Sequence, residues 1–190
     1  MSDNRHIMTA AISVRLRKYG SGDRSAILDV ATAAFTPIYE SIRSILGPEL
    51  FRAVYPDWKA SQTAYLESLL DGNEARNVWV AEDLGSAELV GFVHYSIDTV
   101  AGSGEIGINA VAPHRQGAGI GTAMYNHVLG LMREDGVTLV HVSTGGDDSH
   151  RAARRAYEKA GFRPLPLTRL YRRLCTRETV ETSHPEGQRN

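Results

Sequence analysis

The chain has 190 residues, enough for one domain with a sizeable core. A formal net charge of −1 supplies no basic field for general nucleic-acid or membrane-surface binding, so neither is expected as a partner. Cys175 is the only cysteine, which excludes an internal disulfide and points to a reducing, cytoplasmic setting.

Residues 1–11 are polar, lack the apolar core of a signal peptide and read as an N-terminal extension; no later apolar run is long enough to span a bilayer. Residues 12–17 (ISVRLR) alternate apolar and polar, the pattern of a strand with one buried face. Asp23 then caps a helix that buries Ala26, Ile27, Val30, Ala31 and Ala34. Between Phe35 and Trp58, aromatic residues interleave with Pro37, Gly47-Pro48 and Pro56, which predicts a short helix and a loop covering a cavity. Residues 59–70 form a further predicted helix, stopped by Asp71-Gly72.

Residues 78–81 read as a strand, and Leu84-Gly85-Ser86 turns the chain into a second over 89–97. Gly102-Ser103-Gly104 turns it again into 105–111, completing an antiparallel meander. From Ile120 onward, Ile120, Ala123, Met124, Val128, Leu131 and Met132 recur at helical spacing. Gly136 stops that helix before a buried strand at 138–142, and a strand, helix and strand in sequence make a parallel crossover. The sheet is therefore mixed. Asp148 or Ser149 caps a last helix carrying Ala152, Ala153, Ala156, Tyr157 and Ala160, with Gly161 at its end. Residues 169–174 read as a final strand, and the polar stretch 176–190 as a disordered tail.

Between Val111 and Ile120 lies the turn Gln116-Gly117-Ala118-Gly119-Ile120-Gly121, from strand to helix. Unpaired N–H groups and the positive dipole end gather at a helix start, and glycines admit a ligand to the backbone. Such a turn suits a diphosphate, although the same letters also serve a tight turn that binds nothing. It is not a dinucleotide fingerprint, whose third glycine would fall on Thr122, nor a P-loop, since no Gly-Lys-Ser/Thr follows. Gln116, Gly119 and Gly121 resemble instead the Gln/Arg-x-x-Gly-x-Gly/Ala motif of the GNAT superfamily of acyl-CoA-dependent N-acyltransferases. The segment 153–162 (ARRAYEKAGF) resembles that family's later Tyr-Glu-Lys-x-Gly-Phe segment, in the same order along the chain.

The resemblance implies a single α/β domain of GNAT type over 12–175, with a mixed, mostly antiparallel central sheet flanked by helices. It implies acetyl-CoA as donor and a primary amine, on a small molecule or on a peptide or protein, as acceptor. The amine would attack directly, without a covalent enzyme intermediate. The amides of Gln116, Gly117, Ala118, Gly119, Ile120 and Gly121 would hold the pyrophosphate, and the Val111 N–H the thioester carbonyl and its developing oxyanion. Tyr157 would protonate the leaving thiolate, and Glu105 would take a proton from the amine. By two-residue alternation Glu105 shares a strand face with Gly107, Asn109 and Val111. His150 stands where the family often carries an asparagine that contacts the pantetheine arm. Tyr39, Phe51 and Tyr55 fall in the segment that forms the family's acceptor pocket, and a homodimer is a common family assembly. The histidines His94, His114, His127 and His141 show no metal-ligand spacing, so no metal is expected. Two other readings share these features: an inactive acyl-CoA sensor, and an interaction module using the aromatic segment.

Overall fold

The computed structural model describes the backbone of residues 5–9 and 12–174, and side chains from Ser13 onward. Six strands lie side by side in chain order. They are β1 (Arg5–Thr9), β2 (Ile12–Lys18), β3 (Val78–Asp83), β4 (Leu89–Asp98), β5 (Ser103–Val111) and β6 (Leu139–Val142). Every neighbouring pair is antiparallel except β5 with β6, which the crossover makes parallel. β1 falls inside the stretch read as an extension and pairs with β2 from Arg5↔Leu16 to Thr9↔Ile12. The alternation in 12–17 signals one buried face and says nothing of which edge is already taken.

Both sheet faces are covered. α4 (Ile120–Glu134) and α5 (Arg151–Lys159) stand on one, where Ile120, Met124, Val128, Met132 and Tyr157 meet Val14, Leu16, Trp79, Val93 and Ile106. On the other lie α1 (Arg24–Leu46) and α3 (Trp58–Asp71), packing Ile27, Val30, Ala31, Leu66 and Leu70 against Val78, Val80, Phe92 and Ala110. A buried sheet with apolar residues on both faces accounts for β3 and β4 reading as near-continuous apolar runs.

Three sequence expectations are corrected. α1 does not end near Phe35 but continues through Pro37 to Leu46, where Gly47 closes it at φ 75°. An internal proline costs about 3 kcal/mol, which packing of the helix's long apolar stripe on the sheet outweighs. The rest of the irregular stretch is α2 (Pro48–Val54), a second short helix rather than a loop. The final strand at 169–174 does not form: residues 161–174 carry no regular structure. Pro164 and Pro166 remove ladder donors on the approach, and the segment pairs with no strand. The expected tail at 176–190, and Cys175, lie outside the described residues.

Candidate functional site

The site begins where β5 loses its neighbour. Pairing with β6 runs only from Ser103↔Leu139 to Ile106↔Val142. Beyond it, the Ala112 N–H donates to the Val90 carbonyl at 2.9 Å, so strand alternation turns the Val111 N–H toward the opposite, open edge. Residues 107–111 thus border a notch between β5 and the chain leaving β6. The main-chain groups facing this edge have no partner strand, though the Gly107 and Val111 carbonyls accept from the Asn109 and Gln116 side chains; such an edge can take an amide-bearing ligand as an added strand.

At the top of the notch, Gly117 and Gly119 sit in the left-handed region, at φ 80° and 84°. Gly119 is the N-cap of α4, and its carbonyl accepts the Ala123 N–H at 3.0 Å. The preceding N–H groups of that first turn have no intrahelical acceptor and make an anion site. The turn is held from two sides. The Gln116 side chain donates to the Val111 carbonyl at 3.1 Å, and Arg115 pairs with Asp83 at 2.5 Å. The Ser86 amide and then Arg115 hold the Asp83 carboxyl down at about 2.

Tyr157 is buried at the foot of the notch, its ring stacked on Tyr125 with centroids 4.5 Å apart. Asn109 joins the two phenols: its Nδ2 donates to the Tyr157 oxygen at 3.0 Å, and its Oδ1 accepts from Tyr125 at 2.8 Å. Burial first, and the Tyr157 phenol second, push the Tyr125 hydroxyl far above its ordinary range, so it stays a donor to Asn109. With Asn109 donating to the Tyr157 oxygen, the Tyr157 proton is left to point elsewhere. Asn109 was not singled out in the sequence, where nothing local distinguishes it. Its partner Tyr157 lies 48 residues away.

His150 is engaged within its own loop. Its Nδ1 lies 2.6 Å from Asp147, which also accepts from Ser149 and, at 2.8 Å, from Ser41 on α1. Burial pushes the Asp147 carboxyl up, yet the hydrogen bonds from Ser149, Ser41 and His150 outweigh it and leave the group well below the usual carboxylate range. Asp147, rather than Asp148 or Ser149, is the residue that caps this turn. Arg154 donates to the Gly145 and Asp147 carbonyls at 2.6 Å each and so shapes the loop below the notch.

Glu105 lies elsewhere than alternation suggests. β5 carries one extra residue against β4: Val93 pairs with Asn109, but Tyr95 pairs with Ile106. A classic bulge places Gly107 and Ile108 opposite His94, so both turn to the α1 face. Ile106 is buried with Tyr157 on the α4 face, whereas Ile108 packs with the α1 cluster. Glu105 therefore shares its face with Gly107 but not with Asn109 and Val111. It looks out on the α1 side, with Ser96 and His141 as cross-strand neighbours.

On that same side the predicted aromatics gather. Tyr39 of α1 stands edge-on to Phe51 and Tyr55, at 6.5 and 5.4 Å, and stacks on Trp58 at 4.2 Å. Trp58 completes the cluster from the start of α3. Beside Phe51, a cavity of 410 Å³ is lined by Arg43, Pro48 and Arg52. The hydrogen bond with Tyr171, then burial, pushes the Tyr55 phenol up to about 12. The segment predicted as a last strand thus runs past this cluster. Among the described residues, no cluster of His, Cys, Asp and Glu could hold a metal ion, and no helix is long and apolar enough to cross a membrane.

A family model described as the acetyltransferase (GNAT) family matches residues 39–162. The chain is 32% identical over 150 residues to a mycothiol acetyltransferase of Nocardiopsis dassonvillei, covering 78% of this chain and 42% of that protein. It is 31% identical over 94 residues to a mycothiol acetyltransferase of Beutenbergia cavernae, covering 50% of this chain and 31% of that protein. The chain thus spans less than half the length of these curated relatives. Its fold is shared by a GNAT family acetyltransferase of Brucella melitensis solved in complex with acetyl-CoA, at 20% identity and TM-score 0.54 over 80% of this chain and 83% of that one. It is shared too by the PaiA N-acetyltransferase of Thermoplasma acidophilum in complex with coenzyme A, at 17% identity and TM-score 0.57 over 80% and 91%.

Proposed function

Because the chain belongs to the GNAT acetyltransferase family, we propose that it moves an acetyl group from acetyl-CoA to a primary amine by direct attack, with Glu105 as general base and Tyr157 as general acid. The observation that carries this reading is the break in the β5–β6 ladder, flanked by the glycine turn, by Tyr157 on one sheet face and by Glu105 on the other. The turn has what a diphosphate needs, main-chain N–H groups and no Cβ in the approach. The open edge of β5 offers amide partners to a pantetheine arm. The Val111 N–H, fixed at the end of a paired strand, is preorganised for the charge that develops on the thioester oxygen.

The two faces divide the proton work. Tyr157, oriented by Asn109, donates to the departing thiolate from the α4 side. Thiols ordinarily titrate near ~8.5 and phenols near ~10, so such a donation is nearly balanced. Glu105, on the α1 side with the aromatic cluster, takes the proton of the incoming ammonium, directly or through water. Tyr39, Phe51 and Tyr55, with Trp58, would form one wall of the acceptor site. His150 would contact the pantetheine arm through the ring nitrogen that Asp147 leaves free.

Thiol release from acetyl-CoA across an amine panel tests the activity and identifies the acceptor. Its absence with every amine, alongside tight acetyl-CoA binding, would favour a sensor over an enzyme. Within an active enzyme, Tyr157→Phe is expected to lower kcat by ~10²-fold or more with little change in the KM for acetyl-CoA, because leaving-group protonation acts after binding. If the chemical step limits turnover, an unchanged kcat would make Tyr157 a packing residue.

A further inference from the structure

We propose that His94 is a proton-relay residue that carries the amine's proton from Glu105 to the protein surface through Glu74. This rests on the assignment of Glu105 as base. His94 is 6% exposed, and among the described residues its Nδ1 is buried without a hydrogen-bond partner. Buried polar atoms are nearly always paired, so an orphaned imidazole nitrogen asks for an explanation, and a transient proton is one. Its Nε2 is already committed, 3.2 Å from a carboxylate oxygen of Glu74, whose side chain is 48% exposed. With the proton on Nε2 and donated to Glu74, Nδ1 carries the lone pair and can accept a second proton.

The bulge puts that lone pair at the site. A Cβ built on Gly107 would lie 2.6 Å from His94 Nδ1, so the absence of a side chain at 107 is what gives the ring its place. Glu105 is two residues along the same strand face, ~6.6 Å away at ~3.3 Å per residue. The relay requires one water between the Glu105 side chain and Nδ1. The step balances: the ammonium N–H breaks and Glu105 gains the proton, which passes to Nδ1. The imidazolium releases its Nε2 proton to Glu74 and thence to solvent, which leaves a neutral ring protonated on Nδ1, and a tautomer exchange restores the starting form. His141, the exposed neighbour of Glu105 on β6, offers the competing exit.

The test compares His94→Gln, Gly107→Ala, His141→Gln and Glu105→Gln on two amines at pH 7, one with a pKa near ~10.4 and one near ~8. Each variant is first shown to be folded by thermal unfolding. Gly107→Ala displaces the His94 ring without removing any ionisable group, and so serves should His94→Gln fail to fold. The relay predicts a loss of kcat/KM of ~10-fold or more for the basic amine in both variants, a much smaller loss for the weaker one, and an unchanged KM for acetyl-CoA. In His94→Gly, added imidazoles should restore the rate in order of their basicity, which filling a hole would not produce. Equal losses on both amines would make His94 structural and overturn the relay. Normal kinetics in His94→Gln with a selective loss in Glu105→Gln would overturn the relay and leave the base in place. A selective loss in His141→Gln alone would move the exit to β6 and likewise overturn it, and normal kinetics in Glu105→Gln would overturn both assignments.

Discussion

Gly119→Val is expected to reduce coenzyme A affinity at least ~100-fold, about 2.7 kcal/mol, in a protein that still folds. Gly119 closes the N-terminus of α4 at φ 84°, ψ 2°, a conformation that costs an L-residue roughly 1–2 kcal/mol. That strain is small beside the ~5–15 kcal/mol stability of an ordinary domain, so the helix survives. Binding does not, because the Val side chain both shifts the turn and stands among the N–H groups that a diphosphate must approach. Gly117→Ala is the milder companion, straining a second left-handed position, φ 80°, while adding only a methyl. A Cβ at Gly117 meets no protein atom within 4 Å, so an added methyl there enters the open space in front of the turn. Calorimetry with coenzyme A on both variants is the measurement. Wild-type affinity in a folded Gly119→Val would remove the pyrophosphate from this turn.

Glu105→Gln should separate amines by basicity. Only the neutral amine attacks, and a lysine-like amine with a pKa near ~10.4 spends about 4.6 kcal/mol to reach that form at pH 7. An α-amine near ~8 spends about 1.4 kcal/mol. Base assistance is worth far more for the first, and general-base contributions of ~10²–10⁴-fold set the scale of its loss. With a basic acceptor, kcat/KM should fall by that order at neutral pH and recover as pH rises toward the amine's own pKa. With a weakly basic acceptor the loss should be small throughout. Superimposable pH–rate profiles for the two enzymes on a basic amine would show that the proton leaves by another route.

The position of Glu105 changes what the second experiment means. On the face with Asn109 and Val111 it would have stood beside Tyr157, and acid and base would share one chamber. The bulge opposite His94 puts it on the α1 side, with Tyr39, Phe51, Tyr55 and Trp58. In the proposed reaction donor and acceptor would then approach the notch from opposite faces of the sheet. Ser41 on α1, bonded to Asp147 at 2.8 Å, ties the acceptor-side helix to the loop that supports α5. An acceptor that moved α1 would thereby be felt at the start of the helix that carries Tyr157.

What the sequence determined by itself is local. The glycine turn, the amphipathic α4 behind it, the meander and the parallel crossover all follow from short-range pattern, because φ preference, helical spacing and strand alternation act over a few residues. The turn's geometry was legible too, since Gly119 takes the left-handed conformation at its own position and Gln116 reaches only five residues, to Val111. Tertiary structure decided the rest. Pro37 argues locally for a helix end, but the face that α1 buries on the sheet outweighs it. The segment 169–174 shows the converse, a strand-like pattern that found no edge among the described residues. Asn109 reaches Tyr157 over 48 residues and Ser41 reaches Asp147 over 106, distances at which no motif operates. The face of Glu105 turns on a single extra residue in β5, and a bulge is a property of two strands in register, so no reading of one strand alone could have placed it.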